Sequence, residues 1–63
     1  MHAEKSTYFV VTHGTTDATK FSNCKMRASN GLVYFTEFDE EDNVKKQTYY
    51  PLVNVQKIIE ELV

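Results

Sequence analysis

The pattern of apolar and polar positions begins with a short apolar strand near the N-terminus. Between Thr7 and Thr12 lie consecutive aromatic and β-branched residues with little alternation, which favours a strand that is apolar on both sides. The polar, glycine-containing stretch from His13 to Thr19 predicts a loop. A second strand is then expected to begin at Lys20.

The dipeptide Asn30-Gly31 predicts a β-hairpin turn, because Asn-Gly supplies the two positive φ angles of a type I′ turn. A two-residue loop fixes the register, so that Ser29 pairs with Leu32, and the pairing continues back to Cys24 and Glu37. Side chains alternate across a strand, so the hairpin has an apolar face and a polar face. The core face is expected to hold Cys24, Met26, Ala28, Val33 and Phe35, and the opposite face Lys25, Arg27, Tyr34 and Thr36.

An acidic stretch separates this hairpin from a further strand, which is expected from Val44 to Tyr50. Pro51 cannot donate a ladder hydrogen bond and should end that strand. The acidic stretch is expected to form a solvated surface loop that carries Asp39, Glu40, Glu41 and Asp42. The expected register pairs Phe38 with Val44, Glu37 with Lys45 and Val33 with Tyr49.

The C-terminal segment is compatible with two structures. Apolar residues recur at the spacing of one helical face, and the adjacent residues Glu60 and Glu61 favour a helix, so a short terminal helix is predicted over residues 54–62. A fifth strand is the alternative, since alternation is also present and Ile-Ile favours strands. The helical spacing is set by Val55, Ile58, Ile59 and Leu62, and the alternation by Val53, Val55, Lys57 and Ile59.

The expected fold class is α+β and mainly β. It comprises a small antiparallel sheet of four strands, SH3-like or a partly open barrel, with a short C-terminal helix. A chain of 63 residues is expected to be one domain, since chains of this length have no surface to spare for a second core. Within domain 1–63, residues 1–6 are expected to be flexible, residues 7–50 to form the sheet and residues 54–62 the helix.

The amino-acid composition limits the cellular compartment and the binding partners that we expect for this protein. A single cysteine, Cys24, cannot form an internal disulfide, which favours a reducing compartment and a cytoplasmic protein. No apolar run approaches the roughly 18 residues of a membrane span, so no membrane association is expected. The formal net charge of −2 gives no overall attraction to nucleic acid, so any such binding would be local.

Candidate catalytic and metal sites are weak. His2, His13 and Cys24 match no metal-ligand spacing, and the expected register buries Cys24, which argues against a reactive thiol. The acidic loop lacks the central glycine and terminal glutamate of a calcium loop. We therefore expect no enzyme activity, no cofactor and no metal.

The polar face of the sheet is the candidate binding surface. Tyr and Arg are enriched in binding hot spots, and aromatic rings beside cations can also stack single-stranded bases. The first interpretation of this face is structural: a sheet that curls would bury the rings of Tyr34, Phe38 and Tyr50 against the first strand. As a functional surface, it is expected to bind another protein or a second copy, and nucleic acid is the alternative. The expected contact residues are Lys25, Arg27, Tyr34, Lys46 and Tyr50, with Phe38 beside them.

One general resemblance accompanies these patterns. A meander with an Asn30-Gly31 turn, followed by the Tyr-Pro-Leu-Val-Asn-Val segment of residues 50–55 and a short terminal element, resembles small SH3-like or α+β proteins encoded by phages and bacterial mobile elements. The resemblance implies a small regulator or inhibitor of a larger cellular protein. It transfers no functional residue.

Overall fold

The computed structural model describes residues 5–62. This part of the chain forms five strands joined by short connections, with one 3-10 turn between the last two. The strands are β1 (Ser6–Thr12), β2 (Thr19–Ser29), β3 (Leu32–Phe38), β4 (Val44–Pro51) and β5 (Val55–Glu61), and the 3-10 turn is Leu52–Asn54.

The strands form one antiparallel sheet in the order β4-β3-β2-β1-β5. β2 belongs to two halves of the sheet, because its first part pairs with β1 and its second part, from Cys24 onward, pairs with β3. The expectation of a mainly β, antiparallel protein is confirmed. The sheet has five strands in the described residues, one more than expected.

The predicted C-terminal helix is wrong, because residues 55–61 form β5. β5 pairs antiparallel with β1, with Val10 opposite Ile58 and Phe9 opposite Ile59. A seven-residue segment is too short to be stable as an isolated helix, whereas pairing with β1 satisfies the backbone of both strands and packs Ile58 against the core. The fifth strand, the alternative interpretation, is the structure.

A β-bulge at Asn23 explains how β2 places side chains from both of its parts in the core. The register shifts so that Cys24 lies opposite Ser6 while Phe21 lies opposite Tyr8, and Asn23 adopts a positive φ of 51°. Phe21 and Cys24 are three residues apart and would face opposite sides of a regular strand. The extra residue turns both side chains into the core, where each is at most 3% exposed.

The core lies between the two halves of the sheet. The rings of Phe21 and Phe35 stack across it with centroids 4.8 Å apart, and Tyr8 packs against Phe35 at 5.7 Å. Aromatic pairs of this kind contribute about 0.5–1.5 kcal/mol beyond their buried area. The buried cluster consists of Tyr8, Val10, Phe21, Cys24, Val33 and Phe35.

The hairpin register set by Asn30-Gly31 is confirmed at every pair from Ser29–Leu32 to Cys24–Glu37. The two residues have φ angles of 54° and 78°, as a type I′ turn requires. The predicted core face is correct in part. Met26 is 41% exposed and Ala28 is also exposed, so the core is centred on β3 and not on the end of β2.

The predicted register of β3 with β4 is wrong by one residue over most of its length. Phe38 pairs with Val44 as expected, but a bulge then leaves Lys45 as an extra residue, and Glu37 pairs with Lys46. Every later pair is displaced, so that Val33 lies opposite Tyr50. The displacement exchanges the faces of Tyr49 and Tyr50.

The first strand begins one residue earlier than predicted, within the segment that was expected to be flexible. Ser6 begins β1 and is 6% exposed, and Lys5 contacts the ring of Phe38. The rest of the predicted flexible segment, residues 1–4, lies outside the described residues.

Candidate aromatic and cationic interface

The outer face is the side of β3, β4 and the second part of β2, from Cys24 onward, that is turned away from the core. Tyr34 and Tyr49 lie directly opposite each other on β3 and β4, and their ring centroids are 5.8 Å apart. The Arg27 guanidinium lies over the Tyr34 ring at 5.1 Å. The Tyr49 side chain is 62% exposed, whereas Tyr34 is half-buried.

A second cation and ring group continues this face toward the acidic loop. The Phe38 ring has Lys25 Nζ at 5.4 Å and Lys5 Nζ at 5.0 Å from its centroid. Lys5 also forms an ion pair with Asp42. Lys25 and Arg27 form no salt bridge within residues 5–62, so their attraction to the rings fixes their positions while their charges stay available to a ligand.

An open groove of about 460 Å³ runs along the outer face. The register places two cations and no carboxylate among the strand positions of this face that the structure describes. In a chain with a formal net charge of −2, this face is a local positive surface. Its lining residues include Lys25, Arg27, Tyr34, Thr36, Phe38 and Gln47.

Three of the five predicted contact residues, Lys25, Arg27 and Tyr34, meet on this face. The predicted placement on this face is wrong for Lys46 and Tyr50, because the bulge at Lys45 moves both to the core side. Lys46 lies opposite Glu37, and Tyr50 packs edge-on against core aromatic rings.

Tyr49 is the exposed aromatic residue of the outer face that sequence reasoning missed. It takes the place on the outer face that was predicted for Tyr50, since the two residues are adjacent and a one-residue shift exchanges their faces. A signal was present: directly opposed tyrosines are favourable cross-strand pairs, and Tyr34–Tyr49 is such a pair.

The acidic residues Asp39, Glu40, Glu41 and Asp42 form the turn between β3 and β4. Asp39 Oδ1 accepts hydrogen bonds from the backbone N–H groups of Glu41 and Asn43, both at 2.9 Å. The Asp39 carboxylate therefore holds the turn together. Glu40, Glu41 and Asp42 are exposed beside the Phe38 end of the outer face.

Within residues 5–62, the other side chains that could support catalysis or metal binding are the Cys24 thiol and the His, Asp and Glu groups. Cys24 is 0% exposed, and burial, together with the nearby Glu37, raises the pKa of its thiol to about 11. A thiol in this environment is protonated near neutral pH and is a poor nucleophile. Within residues 5–62, no three His, Cys, Asp or Glu side chains are placed to bind a metal ion; His2 lies outside that range.

Within residues 5–62, no helix is long and apolar enough to cross a lipid bilayer. Comparison of the chain with known proteins found no matching family model, no matching curated protein and no matching solved structure.

Proposed function

We propose that this chain is a small non-enzymatic protein-interaction module that binds another protein through its outer face. The observation that carries the proposal is the pair formed by the half-buried Tyr34 and the exposed Tyr49, with the Arg27 guanidinium over the Tyr34 ring. Tyr and Arg dominate the energetics of many interfaces because they combine a large apolar area with hydrogen-bonding groups. These side chains are held by one another before binding, which lowers the entropy lost when a partner immobilises them.

Charge indicates the chemistry of the partner. The outer face presents Lys25 and Arg27 without a carboxylate between them. The complementary surface carries Asp or Glu side chains around an apolar or aromatic residue that packs on Tyr34 and Tyr49. A larger cellular protein with such an acidic patch fits best, and the chain would act as its regulator or inhibitor, in the manner of small phage or mobile-element proteins.

Two further proposals accompany this function. The sheet is an SH3-like, partly open barrel, which is supported by the sharing of β2 between the two halves and by the 3-10 turn between β4 and β5. The protein is cytoplasmic, which is supported by its single buried and unpaired cysteine.

Affinity capture with matched variants tests the proposed function. Immobilised wild-type protein should retain a stoichiometric partner from the source cell, and Tyr49→Ala or Arg27→Ala should lose it while remaining folded. Lys20→Ala removes an exposed cation on another part of the sheet and should capture the partner normally. If Tyr49→Ala and Arg27→Ala capture as well as wild type, the outer face is not the interface.

The second candidate is a single-stranded nucleic-acid-binding module. It is favoured by the exposed rings beside cations, since base stacking on aromatic side chains contributes about 1–3 kcal/mol per base. A strand lying along the face carries a phosphate at every nucleotide and would pass the acidic loop at one end, whereas an acidic protein patch needs to cover Lys25 and Arg27 only. We therefore rank this function second.

A titration of fluorescent single-stranded DNA and RNA at two salt concentrations separates the two functions. Phosphate contacts weaken steeply with salt, so nucleic-acid binding should be strongest at low salt and should be lost in Tyr34→Ala. No binding at low salt would exclude the second candidate.

A further inference from the structure

The two outermost strands of the sheet, β4 and β5, each pair on one side only within residues 5–62. Their other sides present backbone N–H and C=O groups, which can pair with a further strand. Five of the large exposed apolar side chains lie on these strands or directly after them: Val44, Tyr49, Leu52, Ile59 and Leu62. The two edges are therefore candidate association surfaces.

The two edges have opposite charge at matching ends. β4 carries exposed Lys45 and Lys46 near its start, and β5 carries exposed Glu60 and Glu61 at its end. An antiparallel arrangement brings the start of one strand to the end of the other. It would therefore place the two lysines beside the two glutamates, whereas a parallel arrangement would place them at opposite ends.

We propose that β4 of one copy pairs antiparallel with β5 of a second copy. Core-facing residues of both strands must share one face of the extended sheet, which allows only registers two residues apart. Of these, one register makes the charges meet and sets Tyr49 opposite Lys57. Its pairs are Lys45 with Glu61, Lys46 with Glu60, Thr48 with Ile58, and Tyr49 with Lys57.

This contact deepens the proposed function, on which it rests, because the second copy completes the outer face. Lys57 lies on the outer side of β5, opposite Val11 and two residues from Ile59. Placed beside Tyr49, it adds a cation to the row formed by Lys25 and Arg27. The acidic partner would then bind across two copies, and affinity would rise with self-association.

The association is head-to-tail, since different edges of the two copies meet. Such contacts repeat until the copies close into a ring or form a filament. Size-exclusion chromatography with light scattering and native mass spectrometry of the wild-type chain should show a concentration-dependent oligomer. A wild-type chain that stays monomeric from micromolar to millimolar concentration would overturn the inference.

Charge reversal tests which edges meet. Lys45→Glu and Glu61→Lys should each weaken self-association by roughly five- to tenfold, because each replaces an opposite-charge cross-strand pair by a like-charge pair. An equimolar mixture of the two variants should restore association, since each edge then meets the opposite charge. The matched controls Lys20→Glu and Asp17→Lys make the same charge changes at exposed positions outside β4 and β5 and should associate as wild type.

The neutral variants Lys45→Gln and Glu61→Gln provide the same test should a reversal disturb folding, and each should weaken association to a smaller extent. Association that none of these edge variants changes, or that the mixture fails to restore, would show that other surfaces meet.

Disulfide cross-linking tests the register. A mixture of Tyr49→Cys and Lys57→Cys should give a disulfide-linked heterodimer, because directly opposite Cβ atoms lie within disulfide reach. Tyr49→Cys with Ile59→Cys places the thiols diagonally and should cross-link far less. Equal cross-linking of both mixtures would refute the proposed register, and the buried Cys24 should not compete.

The outcomes of the two proposals are separable. Tyr34 lies away from both edges, so Tyr34→Ala should reduce partner capture without changing the oligomer. A monomeric protein that captures its partner through Tyr34 would retain the proposed function and refute the self-association.

Discussion

Tyr49 and Tyr50 follow each other in β4, and their rings lie on opposite faces of the sheet. The Tyr49 ring lies 5.8 Å from Tyr34 on the outer face, and the Tyr50 ring lies 6.1 Å from Phe35 on the core side. The same side-chain type at adjacent positions thus has two different environments. The pair allows a direct comparison between an exposed tyrosine and a tyrosine that packs on the core.

Alanine at each position should separate stability from binding. Tyr50→Ala removes an aromatic ring packed on the core and should lower the free energy of unfolding by roughly 2–3 kcal/mol, somewhat less than for a fully buried ring. Tyr49→Ala removes a largely exposed ring and should cost about 0.5 kcal/mol or less. Urea denaturation measures both values.

Partner capture by the same two variants gives the complementary readout. Tyr49→Ala should abolish capture while folded, and Tyr50→Ala should retain it at a temperature where the variant is still native. The reverse pattern would place the interface on the other side of β4.

The features predictable from sequence are those that a few adjacent residues determine. Asn30-Gly31 specifies its own turn geometry, and the turn then fixes the register from Ser29 back to Cys24. This local rule brought Lys25, Arg27 and Tyr34 onto one face. The placement of these three side chains on one face was therefore predicted correctly.

The features that escaped prediction depend on contacts between distant residues. The bulge at Asn23 turns Phe21 into the core, and the bulge at Lys45 exchanges the faces of Tyr49 and Tyr50. The alternation of apolar and polar residues within one strand does not show where such a one-residue shift against the neighbouring strand occurs. Residues 55–61 form β5 because their backbone hydrogen-bonds to the free edge of β1. The spacing of apolar residues in this segment would also fit a helix.

The hairpin turn predicts a purely conformational effect at Gly31. Gly31 has a φ of 78°, and a Cβ atom added there would meet nothing within 4 Å. Gly31→Ala should therefore destabilise the protein by about 1–2 kcal/mol through left-handed backbone strain alone. Asn30→Gly relieves strain at the neighbouring position and should change stability far less; thermal or urea unfolding of both variants checks this.

A polar contact between β1 and β5 predicts a specific role for Glu60. Glu60 Oε2 accepts hydrogen bonds from Ser6 Oγ at 2.8 Å and from Tyr8 Oη at 3.2 Å. Ser6 is buried, so removing its acceptor leaves a buried hydroxyl unpaired. Glu60→Ala should cost about 1–3 kcal/mol.

Glu61 provides the control for this effect. It is the next residue and is exposed, so Glu61→Ala should stay within about 0.5 kcal/mol of wild type, measured well below the concentration at which copies associate. Equal losses for the two variants would show that general charge effects, and not the hydrogen bonds, stabilise the β1–β5 contact.

Burial of Cys24 predicts that the protein loses stability in alkaline solution. Burial, with a further contribution from Glu37, raises the pKa of the Cys24 thiol from 9.0 to about 11. Between these values the unfolded chain loses its thiol proton while the folded chain keeps it, so the unfolding free energy falls as pH rises, by up to about 1.4 kcal/mol per pH unit. Below pH 9.0 both states hold the proton and this contribution is constant.

Urea denaturation of wild type and Cys24→Ala across this pH range measures the effect. Cys24→Ala should begin less stable at neutral pH because a buried side chain is truncated, but it should lose less stability on the way to about pH 11. Some loss should remain, because burial and the hydrogen bond to Glu60 also raise the pKa of Tyr8 above 10.0. Parallel pH profiles for the two proteins, or rapid labelling of native Cys24 by a thiol reagent, would contradict the buried thiol.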